Sequence, residues 1–201
     1  MNNINRLFKF SINHHRLDFE ETRYEHIIKG NLLHDIMAKI ITKEELFSLD
    51  FLRRLTLSIF SVNRISIDRW NIEEEFVNPI YKLKDFDFID FIFPKYRKIY
   101  IEREFIYSHK KTFKVYRPDR IVFSDNLNRI IEFKSYYPFN NNTFIGNKKI
   151  IYKYHRQIEN YIKICKNFFN EYFVGYILYI KDGICEFVIE KEKEIFQWER
   201  L

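Results

Sequence analysis

The spacing of apolar positions changes once along the chain, near residue 95. From Asp18 onward, Tyr24, Ile27, Ile28, Leu32, Ile36, Met37 and Ile40 recur three and four apart, which predicts an amphipathic helix. Asp18, Glu20 and Glu21 fall in its first turn, where the helix dipole favours carboxylates. Residues 1–17 have weak periodicity and no clear cap, and read as a leader. Helical spacing continues over 43–93, broken near Asn63, Pro79 and Pro94, with Leu46, Leu49, Leu52, Leu55 and Ile59 able to pack on the first helix. Beyond Pro94, β-branched and aromatic residues dominate. "KIYIEREFIY", "FKVYRPDRIVF" and "NRIIEFKSYY" predict three strands, with "SDNLN" turning between the second and third. A polar loop over 138–149 leads to a helix over 151–169, with Ile151, Tyr154, Ile158, Ile162, Cys165 and Phe169 on its apolar face. "YFVGYILYI" and "ICEFVIE" close as a hairpin across Asp182-Gly183. The order predicts an α/β (α+β) domain over 18–201, a mixed central sheet flanked by helices with an N-terminal helical region.

Composition narrows the class without fixing it. A chain of 201 residues with 46% hydrophobic and 19% aromatic content folds as one domain with a sizeable core, not as a disordered segment. The net charge of +6 suits a polyanionic partner, although the abundance of Lys and Asn looks like coding from an AT-rich genome and discounts it. Two cysteines are too few for a zinc cage or a four-cysteine iron–sulfur cluster. With no apolar run of about 18 residues and no signal peptide, the expectation is a soluble, cytoplasmic chain.

The chemistry concentrates in 117–134. Strand alternation puts Ile130, Glu132 and Lys134 on one face and Ile131 and Phe133 on the other, so Glu132 and Lys134 are neighbours about 7 Å apart at the backbone. Asp119 follows Pro118 at a bend, and a hairpin brings it alongside them. Two carboxylates at a sheet edge make a hard-oxygen site suited to Mg²⁺, and a lysine beside them can hold or deprotonate a water. The same spacing also fits a cross-strand salt bridge on a solvated face.

Pro118-Asp119 followed by Glu132-Phe133-Lys134 resembles the PD-(D/E)XK nuclease signature. Gly30 and His34 in "KGNLLHDIM", Gln157 and Tyr161 in "HRQIENYIK", and Glu102 in "YIEREF" resemble the further motifs of its RecB-like branch, in the same order. "YRPDRIVF" and "GYILYI" look especially like the nuclease domain that ends certain UvrD-like helicase–nucleases. The resemblance covers about 20 to 190 and is weakest over 43–93, a part variable in that family.

It implies a restriction-endonuclease-like core and a Mg²⁺- or Mn²⁺-dependent deoxyribonuclease, exonuclease or endonuclease, acting in DNA repair beside a UvrD-like helicase. By resemblance, Asp119, Glu132, the Phe133 carbonyl and His34 bind the metal, Lys134 orients the attacking water, Gln157 orients active-site groups and Tyr161 contacts DNA. Arg117 and Arg120 flank Asp119 and can each bind a phosphate bidentately or pair with Glu102 or Glu104. Lys148, Lys149, Lys153, His155 and Arg156 form either a DNA backbone track or a solvated face. Phe47, Leu52, Phe60 and Trp70 either dock the helicase or complete the domain's own core. From a different class, a catalytically inactive nuclease-fold DNA-binding or scaffold subunit also fits the fold. Such a subunit is expected to lack a metal or lysine position, and all are present. No G-x-x-x-x-G-K-[ST] occurs in the sequence, so it carries no such ATP-driven motor.

Overall fold

The computed structural model of the chain describes residues 14–96, 98–109, 112–138 and 144–188. Helix α1 (His14–Lys39) leads into α2 (Lys43–Phe47) and α3 (Leu49–Val62). Thr42 and Glu45 form a reciprocal capping box that starts α2, and the Ser48 hydroxyl caps α3. Short turns of helix follow, including α4 (Asn78–Tyr81) and α5 (Ile89–Ile92). The strands are β1 (Lys98–Ile101), β2 (Phe105–His109), β3 (Thr112–Tyr116), β4 (Arg120–Phe123) and β5 (Asn128–Lys134). Helix α6 (Phe144–Phe169) connects to β6 (Phe173–Tyr179) and β7 (Ile184–Val188).

Five strands form one mixed sheet in the order β1-β4-β5-β6-β7. All neighbours are antiparallel except β5 and β6, the pair that α6 joins. Parallel neighbours need such a crossover, so the long helix after β5 is a topological requirement. Both β5 and β6 are buried along nearly their whole length, because each face of the sheet is covered. One face packs on the N-terminal helices through Ile131, Phe133, Val174 and Leu178 against Leu33, Ile36, Met37 and Phe60. The other packs on α6 through Ile130, Ile177 and Tyr179 against Ile158, Ile162 and Cys165. Gly175 permits the close approach of α6: a Cβ there would lie 2.1 Å from Cγ2 of Ile158.

Several boundaries differ from expectation. Helix α1 begins at His14, inside the expected leader, whose residues 1–13 lie outside the described residues. The helix before β6 begins at Phe144, not 151. The larger difference is in the meander. Each of its first two expected strands is broken, one at Glu102, which has φ 48°, and one at Pro118. The breaks face each other, and the Glu102 N–H donates to the Asp119 carbonyl across them. Beyond the breaks, β2 and β3 pair only with each other, as a separate two-stranded ribbon. Leu52 and Phe60 are fully buried, so these two complete the domain's own core; Phe47 is exposed. Among the described residues no helix is long and apolar enough to cross a membrane.

Candidate active site

Register places the acids. Arg120 pairs with Ile131, so Asp119, one residue earlier, comes level with Glu132, one residue later. The result is not a solvated salt bridge, because Asp119 and Glu132 are 5% and 3% exposed. Asp119 Oδ2 accepts the Phe133 N–H at 2.7 Å, which fixes that carboxylate against β5. Glu132 Oε1 accepts from Lys134 Nζ at 2.6 Å and from Gln157 Nε2 at 2.8 Å. Glu132 Oε2 is buried with no hydrogen-bond partner. Leaving such an atom without a partner costs a full desolvation penalty, and a proton or a cation there would offset it. Burial, then the charge of Asp119, pushes the Glu132 carboxyl up to about 7, against the pull of Lys134 and His34.

Helix α1 supplies the imidazole. His34 Nε2 lies 2.7 Å from Asp119 Oδ1, and Nδ1 lies 3.3 Å from Glu102 Oε1. Burial opposes its protonation, but the hydrogen bond and charge of Asp119, with Glu102 and Glu132, prevail and raise its pKa above the ordinary value. A protonated imidazole here puts positive charge where three carboxylates converge. Gly30, one turn earlier, passes Ser135 so closely that a Cβ would sit 3.2 Å from its hydroxyl. The glycine therefore lets α1 lie against the turn after β5, as its position before His34 suggests. The donors are carboxylate oxygens and one imidazole, a set that fits Mg²⁺ or Mn²⁺.

Sequence reasoning missed one neighbour. His34, Asp35 and Glu102 each bring a donor atom within 4.8 Å of the others. Adjacent helix positions point about 100° apart, so the position of Asp35 beside His34 carried little signal. The site opens into a cleft of about 1120 Å³, lined by His34, Glu102, Arg117 and Lys134 and walled by Tyr136 and Tyr154.

Other expected residues divide. Arg117 is exposed and lines the cleft. Gln157 reaches Glu132, and Tyr161, only 7% exposed, lines a second groove beside α6. Its hydroxyl accepts from Gln157 at 2.8 Å and donates to the Arg117 carbonyl at 3.2 Å, making it a prop for the glutamine. Arg120 is a correction. It is fully buried, donates to the Met37 and Ile40 carbonyls at the end of α1, and lies over the rings of Phe93 and Phe133. Burial brings its pKa down to about 10, and no phosphate can reach it. Lys153 and Arg156 are exposed on α6, but His155 is buried against Glu186 at 2.8 Å and leaves the basic run. No protein-family model and no curated protein sequence matches the chain.

Proposed function

We propose that the chain is a metal-dependent deoxyribonuclease of the RecB-like PD-(D/E)XK type, hydrolysing phosphodiester bonds. The observation that carries the reading is the unpartnered, buried Oε2 of Glu132 beside Asp119, His34 and Lys134. The mixed sheet supports a restriction-endonuclease-like core, and its antiparallel β4–β5 pair brings both acids to one end. Asp119, Glu132, the Phe133 carbonyl and His34 would hold Mg²⁺ or Mn²⁺, which when bound lowers the pKa of a water and neutralises charge on the scissile phosphate.

The chain's own residues do the rest. Gln157 and Lys134 hold Oε1 of Glu132 and leave Oε2 available for the cation. Lys134, its side chain 19% exposed and its Nζ 4.9 Å from the Tyr154 ring, orients the attacking water. Arg117, exposed in the cleft, is placed to take a phosphate. DNA is the substrate in this reading, and a UvrD-like helicase is the partner that feeds it. The presence of every metal and lysine position favours an enzyme over an inactive scaffold.

Nuclease assays with Mg²⁺ and Mn²⁺ on end-labelled and circular DNA test the reading. Asp119→Ala and Lys134→Ala are each expected to abolish cleavage while leaving the circular dichroism spectrum intact. Full activity in a folded Lys134→Ala protein would rule the mechanism out.

A further inference from the structure

A second groove, of about 880 Å³, lies between the β2–β3 ribbon and α6. Val115 and Tyr116 form its ribbon wall, and Lys149, Lys153 and Arg156 its helical wall. It reaches Gln157, the residue that holds Glu132. Ile150 lines both this groove and the active-site cleft, so the two meet at that side chain.

The walls differ in chemistry. Among the described residues three cations and no carboxylate line the groove, although Arg156 also reaches Glu159 at 3.1 Å outside it. On the ribbon, Ile106 pairs with Val115, and Phe113 stands two residues from Val115 on the same face. These side chains are 71%, 60% and 73% exposed, an apolar strip of which Val115 lines the groove while Ile106 and Phe113 extend it along the ribbon beyond the lining. Tyr152, 62% exposed, adds an aromatic ring from α6. A duplex offers a protein groove its phosphates and sugars with the bases stacked inside. An unpaired strand offers phosphates on one side and base faces on the other, which matches cations opposite an apolar, aromatic wall.

We infer that the groove between the β2–β3 ribbon and α6 is a track for single-stranded DNA, with phosphates along Lys149, Lys153 and Arg156, bases against Val115, Tyr116 and Tyr152, and the strand continuing along the ribbon onto Phe113. The strand then passes Ile150 to the acidic centre. The inference rests on the nuclease reading for its direction of delivery, but binding to the track needs neither metal nor cleavage. A protein segment laid along the ribbon is the competing occupant; the unbroken positive wall favours a polyanion.

Fluorescence anisotropy in EDTA, with a labelled oligothymidylate and a blunt hairpin duplex as probes, tests this. The wild-type chain is expected to bind oligothymidylate more tightly than the duplex. The Lys149→Ala/Lys153→Ala double variant should lower the slope of log affinity against log salt by about 1.4, at roughly 0.7 per phosphate contact in a single strand. Phe113→Ser and Tyr152→Ser should each weaken oligothymidylate binding roughly tenfold and duplex binding much less. Variants that keep wild-type affinity and salt slope overturn the proposal. So does a chain that binds the duplex as tightly as the single strand, or one that prefers oligouridylate. Altered anisotropy in the variants together with no cleavage by wild type in Mg²⁺ or Mn²⁺ would sink the nuclease reading and leave the track standing.

Discussion

Replacing Glu132 with glutamine removes the buried charge while keeping the side chain's shape. In the folded protein the carboxyl titrates near 7 and in an unfolded chain near 4.5, a difference of about 3 kcal/mol in proton affinity. The folded state then holds more protons than the unfolded one between those values, so stability falls as pH rises through that window. His34 acts in the same direction: its contribution is full below about 6.5 and is lost as pH climbs through its raised value. Metal-free wild type should thus be more stable at pH 5 than at pH 8, by an amount on the order of 3 kcal/mol. Glutamine cannot ionise, so Glu132→Gln should flatten most of this slope and exceed wild type in stability at pH 8. Lys134, left without its carboxylate, is partly exposed and can hydrate. Urea denaturation in EDTA from pH 5 to pH 8 measures the slopes. Adding Mn²⁺ at about a hundred times its Kd should then raise wild-type stability by about 2.7 kcal/mol and leave the variant almost unmoved. Wild-type stability that rises between pH 5 and pH 8, or equal stabilisation of both proteins by Mn²⁺, would refute the account of a carboxylate held in wait for a cation.

Three further outcomes follow from named contacts. His34→Ala should weaken Mn²⁺ binding in calorimetric titration while leaving the salt dependence of DNA binding unchanged; unaltered Mn²⁺ binding would make the imidazole a structural group. Arg120→Met should cost about 2–4 kcal/mol in chemical denaturation, because the Met37 and Ile40 carbonyls lose their donor, and should leave DNA affinity intact. Gly175→Ala should cost about 1–3 kcal/mol through the clash with Ile158 Cγ2, and Ile158→Leu, which removes that methyl, should recover part of it in the same measurement.

The acids were legible in the sequence because strand alternation is a local property, and Glu132 and Lys134 do share a face. The register that levels Asp119 with Glu132 followed from a short turn over 124–128. Arg120 was read as a phosphate ligand from its adjacency to Asp119, yet the same alternation places it on the face of Val122, which packs on the N-terminal helices. The clue was present and outweighed by the charge. Tyr161 packs with the apolar face of α6, as its helical spacing allowed, while still lining the second groove. The ribbon was not legible. Pro118 announces one break, but Glu102 is an ordinary residue that takes φ 48°, and nothing local predicts it. The early start of α6 was hidden by Gly146 and Asn147, poor helix formers within its first turn.

The guanidinium of Arg120 ties the last turn of α1 to the strand that begins beside Asp119. That tie spans a gap of 80 residues in sequence and joins the two halves of the proposed metal-binding set, His34 from one and the acids from the other. Neither half holds a working constellation alone. A chain cut near residue 97 and reassembled from its two pieces would regain cation affinity only as the pieces dock, so a bound metal would serve as a reporter of fragment complementation. The same coupling means that the site cannot be transplanted as a loop: whoever moves it to another scaffold must carry the helix, the strand pair and the buried arginine together.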